Sequence, residues 1–451
     1  MSPDPTLRDC ALDEVASVVQ AESGRILSVL DALHADPELS GREERAAARL
    51  KSELRAEGFE IESDSGGLPT AFVARKGPRG LPVPAVGDTG AGVKPKPDSR
   101  GVATGGGTAR GGAAPVRIAF LAEYDALPEI GHGCGHNLIA ASALGAAIAV
   151  GRVAGRLGAE IWLVGTPAEE TIGGKVVLAA RGVFDGLDAA LMVHPGSEHR
   201  AWTDSLACRS LQVEFHGRAA HAVAHPDKGV NALDAMIQLF VAVDHIRRAS
   251  RRDVRIPGVI LEGGVRPNVV PARAVAQFSV RAGDGAEREE VVRRLRRAVE
   301  GISLATGCTC VIRFTDNPYD EMASNRALAA VYKAHLAAEG IATHDEPREH
   351  KGSLDMGNVS WRVPSIHPYV AIVPPEVASH TEAFAAASVS PAGREGTLLS
   401  ARTMARTAVD LMCDPDLRET VRTEFAAMRQ AALVSRGPGF DTPGELILER
   451  P

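Results

Sequence analysis

Apolar residues recur at helical spacing through Ile26, Leu27, Leu30 and Leu33, and again through Ala46, Leu50 and Leu54, so the chain is predicted to open with helices. Gly58 stands where a C-cap glycine would close the second of them. Residues 77–115 are glycine, proline, threonine and isolated charges with almost no bulky apolar side chain. Such a segment cannot bury enough surface to offset its ordering, which predicts a long flexible insertion in a sheet that resumes at Val116. From there strands are predicted at 116–122, 160–165 and 189–193, with helices at 138–153 and 174–180 between them. Strands alternating with helices imply an α/β fold, a mostly parallel sheet flanked by helices.

Past Cys208 the pattern changes. Strands are predicted at 211–215, 258–261, 274–280 and 310–314, and amphipathic helices at 230–246 and 287–302. The order β-α-β-β-α-β is that of a ferredoxin-like α+β unit, placed as an insertion at 207–312. The first domain, 1–206, then resumes over 313–434, with helices at 325–339 and near 398–412. Residues 435–451 read as a frayed tail.

Composition narrows the functional classes. The 451 residues are 45% hydrophobic and 24% charged, the mix of a globular protein large enough for two domains. A formal net charge of −7 argues against an extended nucleic-acid or anionic-membrane surface, so neither partner is expected. No unbroken apolar run reaches the roughly 18 residues of a membrane span. No basic-then-apolar leader pattern stands at Met1–Glu14, which makes the cytoplasm the expected compartment. Six cysteines at scattered positions lack the paired spacing of a disulfide framework and are expected to be free thiols unless one binds metal.

The chemistry-bearing residues fall just past the carboxyl ends of the predicted parallel strands, the edge where open α/β sheets hold ligands. Glu123 and Asp125 follow the first strand, Glu169 and Glu170 the second, and His194 the third. Gly131-His132-Gly133-Cys134-Gly135-His136-Asn137 places a thiol and an imidazole two residues apart among glycines, close enough to share a metal ion. Read alone, it is as readily a glycine turn around a buried cysteine. Glu169 and Glu170 suit a division between a metal ligand and a proton carrier, although acidic residues at a helix start are common. His194, His221, His225 and His380 are each ambiguous in isolation.

Taken together, these motifs resemble the amidohydrolase branch of the aminoacylase, carboxypeptidase G and succinyl-diaminopimelate desuccinylase metallopeptidases. The likeness is greatest to β-alanyl-lysine dipeptidase and aminobenzoyl-glutamate hydrolase. It is carried by residues 33–40, Glu123–Pro128, His132–Asn137, Pro167–Glu170, Ala219–Ala222, Arg266–Pro271 and Gly352–Asn358. The resemblance implies metal-dependent hydrolysis of the amide bond of small dipeptides or N-acyl amino acids by a metal-activated water. It implies two divalent ions, zinc, manganese or cobalt, held by Cys134, His136, Glu170, His194 and His380. Glu169 would be the general base and acid, and Asp125 would orient a ligand. The inserted domain would be a lid and dimer interface in a homodimer. Its His221 would reach the partner's site, Asn268 would contact substrate, and Arg281 would meet a substrate carboxylate. Asn137 and Glu123 depart from residues common elsewhere in the family, which leaves the metal open.

Two other readings compete with an active amidase. A scaffold or accessory protein that kept the fold is disfavoured because all five ligands and Glu169 are present. A Cys134 nucleophile is disfavoured because it leaves the carboxylate pair without a task.

Overall fold

The computed structural model describes residues 5–78, 115–347, 351–436 and 446–448. The segment read as a flexible insertion lies almost wholly outside these residues. In chain order the elements begin with helices α1 (Pro5–Ala21), α2 (Ser23–Ala35) and α3 (Glu44–Ala56), then strands β1 (Glu60–Ser63), β2 (Phe72–Lys76) and β3 (Val116–Ala122). Helix α4 (His136–Val153), β4 (Ala159–Gly165), α5 (Gly174–Ala180), β5 (Ala189–Leu191) and β6 (His194–Gly196) follow. The second unit is β7 (Ala207–His216), α6 (Ala232–Arg248), β8 (Gly258–Glu262), β9 (Arg273–Ala282), α7 (Gly285–Thr306) and β10 (Thr309–Phe314). The return consists of α8 (Arg326–Ala338), α9 (Met356–Ser360), β11 (Ser365–Ile366), β12 (Tyr369–Ala371), α10 (Glu382–Ala387), α11 (Pro391–Cys413) and α12 (Pro415–Arg436).

The main sheet runs β1-β2-β4-β3-β5-β11. Its β4, β3, β5 and β11 are parallel, and β1 and β2 form an antiparallel edge. Successive side chains on a strand point to opposite faces. Ile118 and Phe120 of β3 accordingly join a core with α1, α2, α4, α8 and α11, while Ala119 and Leu121 join a second core with α5 and α9. Both faces are covered, which explains why these strands read as continuous apolar runs. Among the described residues α4 alone is long and apolar enough to cross a membrane, but 94% of it is buried inside the fold. Its apolarity is that of a core helix.

Of the third predicted strand, 189–193, the main sheet keeps Ala189–Leu191 as β5. After β5 the chain leaves the main sheet, and His194 lies on β6, which pairs with β12 in a separate two-stranded ladder. The sequence reading also stopped short of α12, whose buried contacts are few and small, among them Val421 and Ala432. Among the described residues of the tail, Ile447 is held by Asn317, which donates to its carbonyl and accepts from its amide, both at 2.8 Å. At that point the frayed ending expected for 435–451 is tied to the body.

The second sheet has the order β10-β7-β9-β8, all antiparallel. Leu211, Val213 and Phe215 of β7 and alternate residues of β9 pack beneath α6 and α7. The opposite face is polar, and its Cys208, Ser210 and Arg281 face the first domain across a cavity. The two chain crossings between the units are bonded to each other, Cys208 N–H to Tyr319 O and Tyr319 N–H to Cys208 O, each 2.9 Å.

Candidate metal centre and active site

The site assembles past the carboxyl ends of β3, β4 and β5, where His194 opens β6. Its most constrained piece is the loop entering α4. Gly135 sits at φ +79°, and a Cβ there would stand 2.5 Å from Pro195 Cγ, so only glycine lets Cys134 and His136 approach the β6 strand this closely. His380 is anchored to the same loop by its amide, which donates to Gly133 O at 2.8 Å, and it holds φ +64°.

Five predicted ligands come together. Their donor atoms fall into sets lying within 4.8 Å of one another: Cys134, His136 and His194; Cys134, Glu170 and His380; and His136, Glu169 and Glu170. Cys134 Sγ is 3.5 Å from His194 Nε2, and His380 Nε2 is 3.3 Å from Glu170 Oε1. His194 Nδ1 donates to Pro195 O at 2.7 Å, which turns Nε2 toward the thiol. Asp125 acts on His136 from behind, with its Oδ1 2.9 Å from Nδ1, leaving Nε2 as the outward donor. Asp125 is itself fixed by the Ser40 hydroxyl at 2.7 Å and the Glu170 amide at 3.0 Å. The buried donor atoms His136 Nε2 and Glu170 Oε1 have no hydrogen-bond partner. Thiol, imidazole and carboxylate donors turned inward with unpaired atoms would suit divalent cations, with Cys134 common to two of the donor sets.

The electrostatics agree with that fit. Burial pushes the Cys134 thiol up, but the imidazoles of His194 and His136 outweigh it and bring the thiol to about 6. The thiol and Glu170 raise His380 to about 10. Burial opposes charge on His136, yet Asp125, Glu123 and the Cys134 thiol draw its pKa well up. Glu169 moves the other way from an ordinary carboxylate. Burial first, then the charges of Glu123, Asp355 and Glu170, hold its proton on far above the usual range. Opposite positive charge would release that proton.

These side chains open into a cavity of about 870 Å³, lined on one side by Glu123, Cys134, Glu169, Glu170, His194 and His380. The second unit contributes Arg281 to its wall. His221 and Asn268 do not line it. Both are exposed, and the His221 ring accepts from the amides of Val223 and Ala224 at 3.3 and 3.1 Å.

Residue-by-residue reading missed the groups that hold these side chains. Tyr319 donates its hydroxyl to Glu169 O at 2.8 Å. Lys175, fully buried, lies between Glu123 and Asp355 and is 2.8 Å from the latter. Its one signal was a lysine in a short apolar helix. Glu43, also fully buried, accepts from Ala168 N–H at 2.9 Å and so holds the φ +61° turn before Glu169.

Glu43 gives a pH prediction. Burial and the Asp125 charge raise it from 4.5 to about 7. Between those values the folded protein keeps a proton that the unfolded chain releases, so its stability falls as pH rises through that window. A glutamine at this position would preserve the acceptor for the Gly41 and Ala168 amides without titrating. Relative to the native protein, Glu43→Gln should gain stability from pH 4.5 to 7, by up to about 3 kcal/mol. Denaturant midpoints across that range read the gap, and a gap constant with pH would count against it.

Comparison with known proteins places the chain. It is 34% identical over 430 residues to the Xaa-Arg dipeptidase of Mus musculus, covering 93% of this chain and 91% of that protein. The chain belongs to the M20 metallopeptidase family. Residues 208–306 match the family profile of a peptidase dimerisation domain. One of the polypeptides of the p-aminobenzoyl-glutamate hydrolase of Escherichia coli is 27% identical over 486 residues, 91% of this chain and 94% of its own. A dinuclear metal-binding M20 peptidase of Bacillus subtilis shares the fold with a TM-score of 0.61 at 19% identity, over 87% of this chain and 99% of its own. As an M20 member the chain is an amidohydrolase.

Proposed function

We propose that this M20 enzyme hydrolyses the amide bond of dipeptides and related N-acyl amino acids, as a cytoplasmic homodimer carrying two divalent ions. The convergence of Cys134, His136, Glu170, His194 and His380 beside the carboxylate of Glu169 carries this reading. Bound cations at these donors would lower the pKa of a water and polarise the scissile carbonyl. Glu169 would take the proton of the attacking water and return it to the departing amine, a task suited to a recessed carboxylate whose pKa its surroundings set. Asp125 keeps His136 in one tautomer, and Arg281 offers a charge for a substrate carboxylate. The dipeptidase relative favours a dipeptide with a basic residue. Six free thiols agree with a reducing compartment.

The decisive experiment is hydrolysis of a panel of dipeptides and N-acyl amino acids by chelated protein, before and after zinc, manganese or cobalt is returned. Chelation should abolish release of free amino acid, and one or more metals should restore it. Turnover that survives complete chelation would rule the metal mechanism out.

Dimerisation is supported by an apolar outer face on the second unit. Edge strand β8 exposes Val259, Ile260 and Leu261, and α6 exposes Ile237 and Val241. Exposed His221, remote from its own chain's cavity wall, then has a role in the partner's site. Co-expressing a Glu169→Gln chain with a His221→Ala chain tests this. Mixed dimers would hold one intact site, giving about a quarter of native activity from random pairing. No recovery above the two parents would place His221 in its own chain's site or outside catalysis.

A further inference from the structure

We infer that Glu123 is a further metal ligand, sharing with His136 one of the two cations, and that Lys175 and Asp355 hold it in that position. The inference rests on the metal reading above and adds a residue to it.

Glu123 is 2% exposed and lines the cavity. Its two oxygens have different neighbours. Oε1 takes the ammonium of Lys175, whereas Oε2 is buried with no hydrogen-bond partner and lies 3.3 Å from His136 Nε2, itself without one. Asp125 occupies the other ring nitrogen of His136, so Nε2 is the atom left for a cation. Two donors each about 2.0–2.1 Å from one ion at a tetrahedral angle stand roughly 3.3 Å apart, and a sulfur–nitrogen pair roughly 3.5 Å. Glu123–His136 meets the first figure, as does Glu170–His380, and Cys134–His194 meets the second. Glu123 therefore stands at a shared-ion distance from His136, as a pair outside the three-donor sets described above.

Charge points the same way. Lys175 and Asp355 are both fully buried and bonded to each other at 2.8 Å. Glu123 faces Lys175 on one oxygen and the His136 ring on the other, and with Lys175 offset by Asp355 and His136 neutral, as a metal ligand must be, the charge of Glu123 is left over. A buried charge without a partner is costly, and a divalent cation at Oε2 would supply one. Lys175 fixes the carboxylate from the far side. Its own amide is held by Asp355 Oδ2 at 3.0 Å, so α5 carries the clamp.

The test compares metal binding by the native protein, Glu123→Gln and Asp355→Asn, using equilibrium dialysis with elemental analysis and zinc titration against a chromophoric chelator. Gln is isosteric and its amide oxygen still accepts from Lys175, so Glu123→Gln should fold. Glu123→Asp, which keeps the charge but withdraws the oxygen by one methylene, is the second variant. The native protein should bind two ions. Glu123→Gln should bind one of them at least 10-fold more weakly. Asp355→Asn removes the same charge from the other end of the trio and should have a much smaller effect. Equal weakening by Glu123→Gln and Asp355→Asn would reduce Glu123 to a distant charge and overturn the inference. So would native affinity for both ions in Glu123→Gln and Glu123→Asp. A native protein that binds no divalent ion would instead overturn the metal reading beneath it.

Discussion

Glu169→Gln should bind its metal ions as the native protein does and turn substrate over at least 10²- to 10⁴-fold more slowly, the usual range for a lost general base. The substitution is isosteric and the Glu169 carboxylate makes no hydrogen bond among the described residues, so nothing structural is withdrawn. The contact that fixes residue 169, Tyr319 to its carbonyl, belongs to the backbone and persists. What disappears is a proton carrier. Metal content by elemental analysis and kcat on the best panel substrate separate the two properties. Native kcat in the variant would remove Glu169 from the chemistry, and lost metal would recast it as a ligand.

Lys175→Met has the largest effect expected on stability. Its ammonium lies between the carboxylates of Glu123 and Asp355 in a fully buried position. Methionine fills a similar volume but leaves two buried carboxylates facing each other, and removing one partner of a buried ion pair costs about 3–5 kcal/mol. Urea unfolding should show the midpoint falling accordingly. An unchanged midpoint would mean that the trio contributes specificity of arrangement without net stability.

Much of the first domain was legible because its central strands are buried on both faces. Val116–Ala122 and Gly174–Ala180 stand in the structure where the apolar runs put them. The second unit was legible through alternation, since Leu211, Val213 and Phe215 turn inward and their neighbours do not. Less could be read where local pattern and tertiary role part company. The strand Glu60–Ser63 offers Ile61 as its single apolar residue, and α12 mixes seven charged residues among its 22 with few that are deeply buried. His194 lies on a strand that belongs to another sheet, which no periodicity in residues 189–196 could have shown. In the site, the ligand motifs stood out through unusual spacing, as in Cys134 and His136. The supporting trio did not. Lys175 lies 52 residues from Glu123 and 180 from Asp355, and only the fold makes them neighbours.

The paired crossings at Cys208 and Tyr319 have a mechanical consequence. Two strands bonded to each other bend most easily about the line through their bridge, and here Tyr319 also holds the backbone of Glu169. A change in the angle between the two units would thus have its fulcrum beside the base. The far end of α6 would sweep a long arc while the carboxylate scarcely moved. Such a change would alter the width of the cleft without disturbing the atom that transfers the proton.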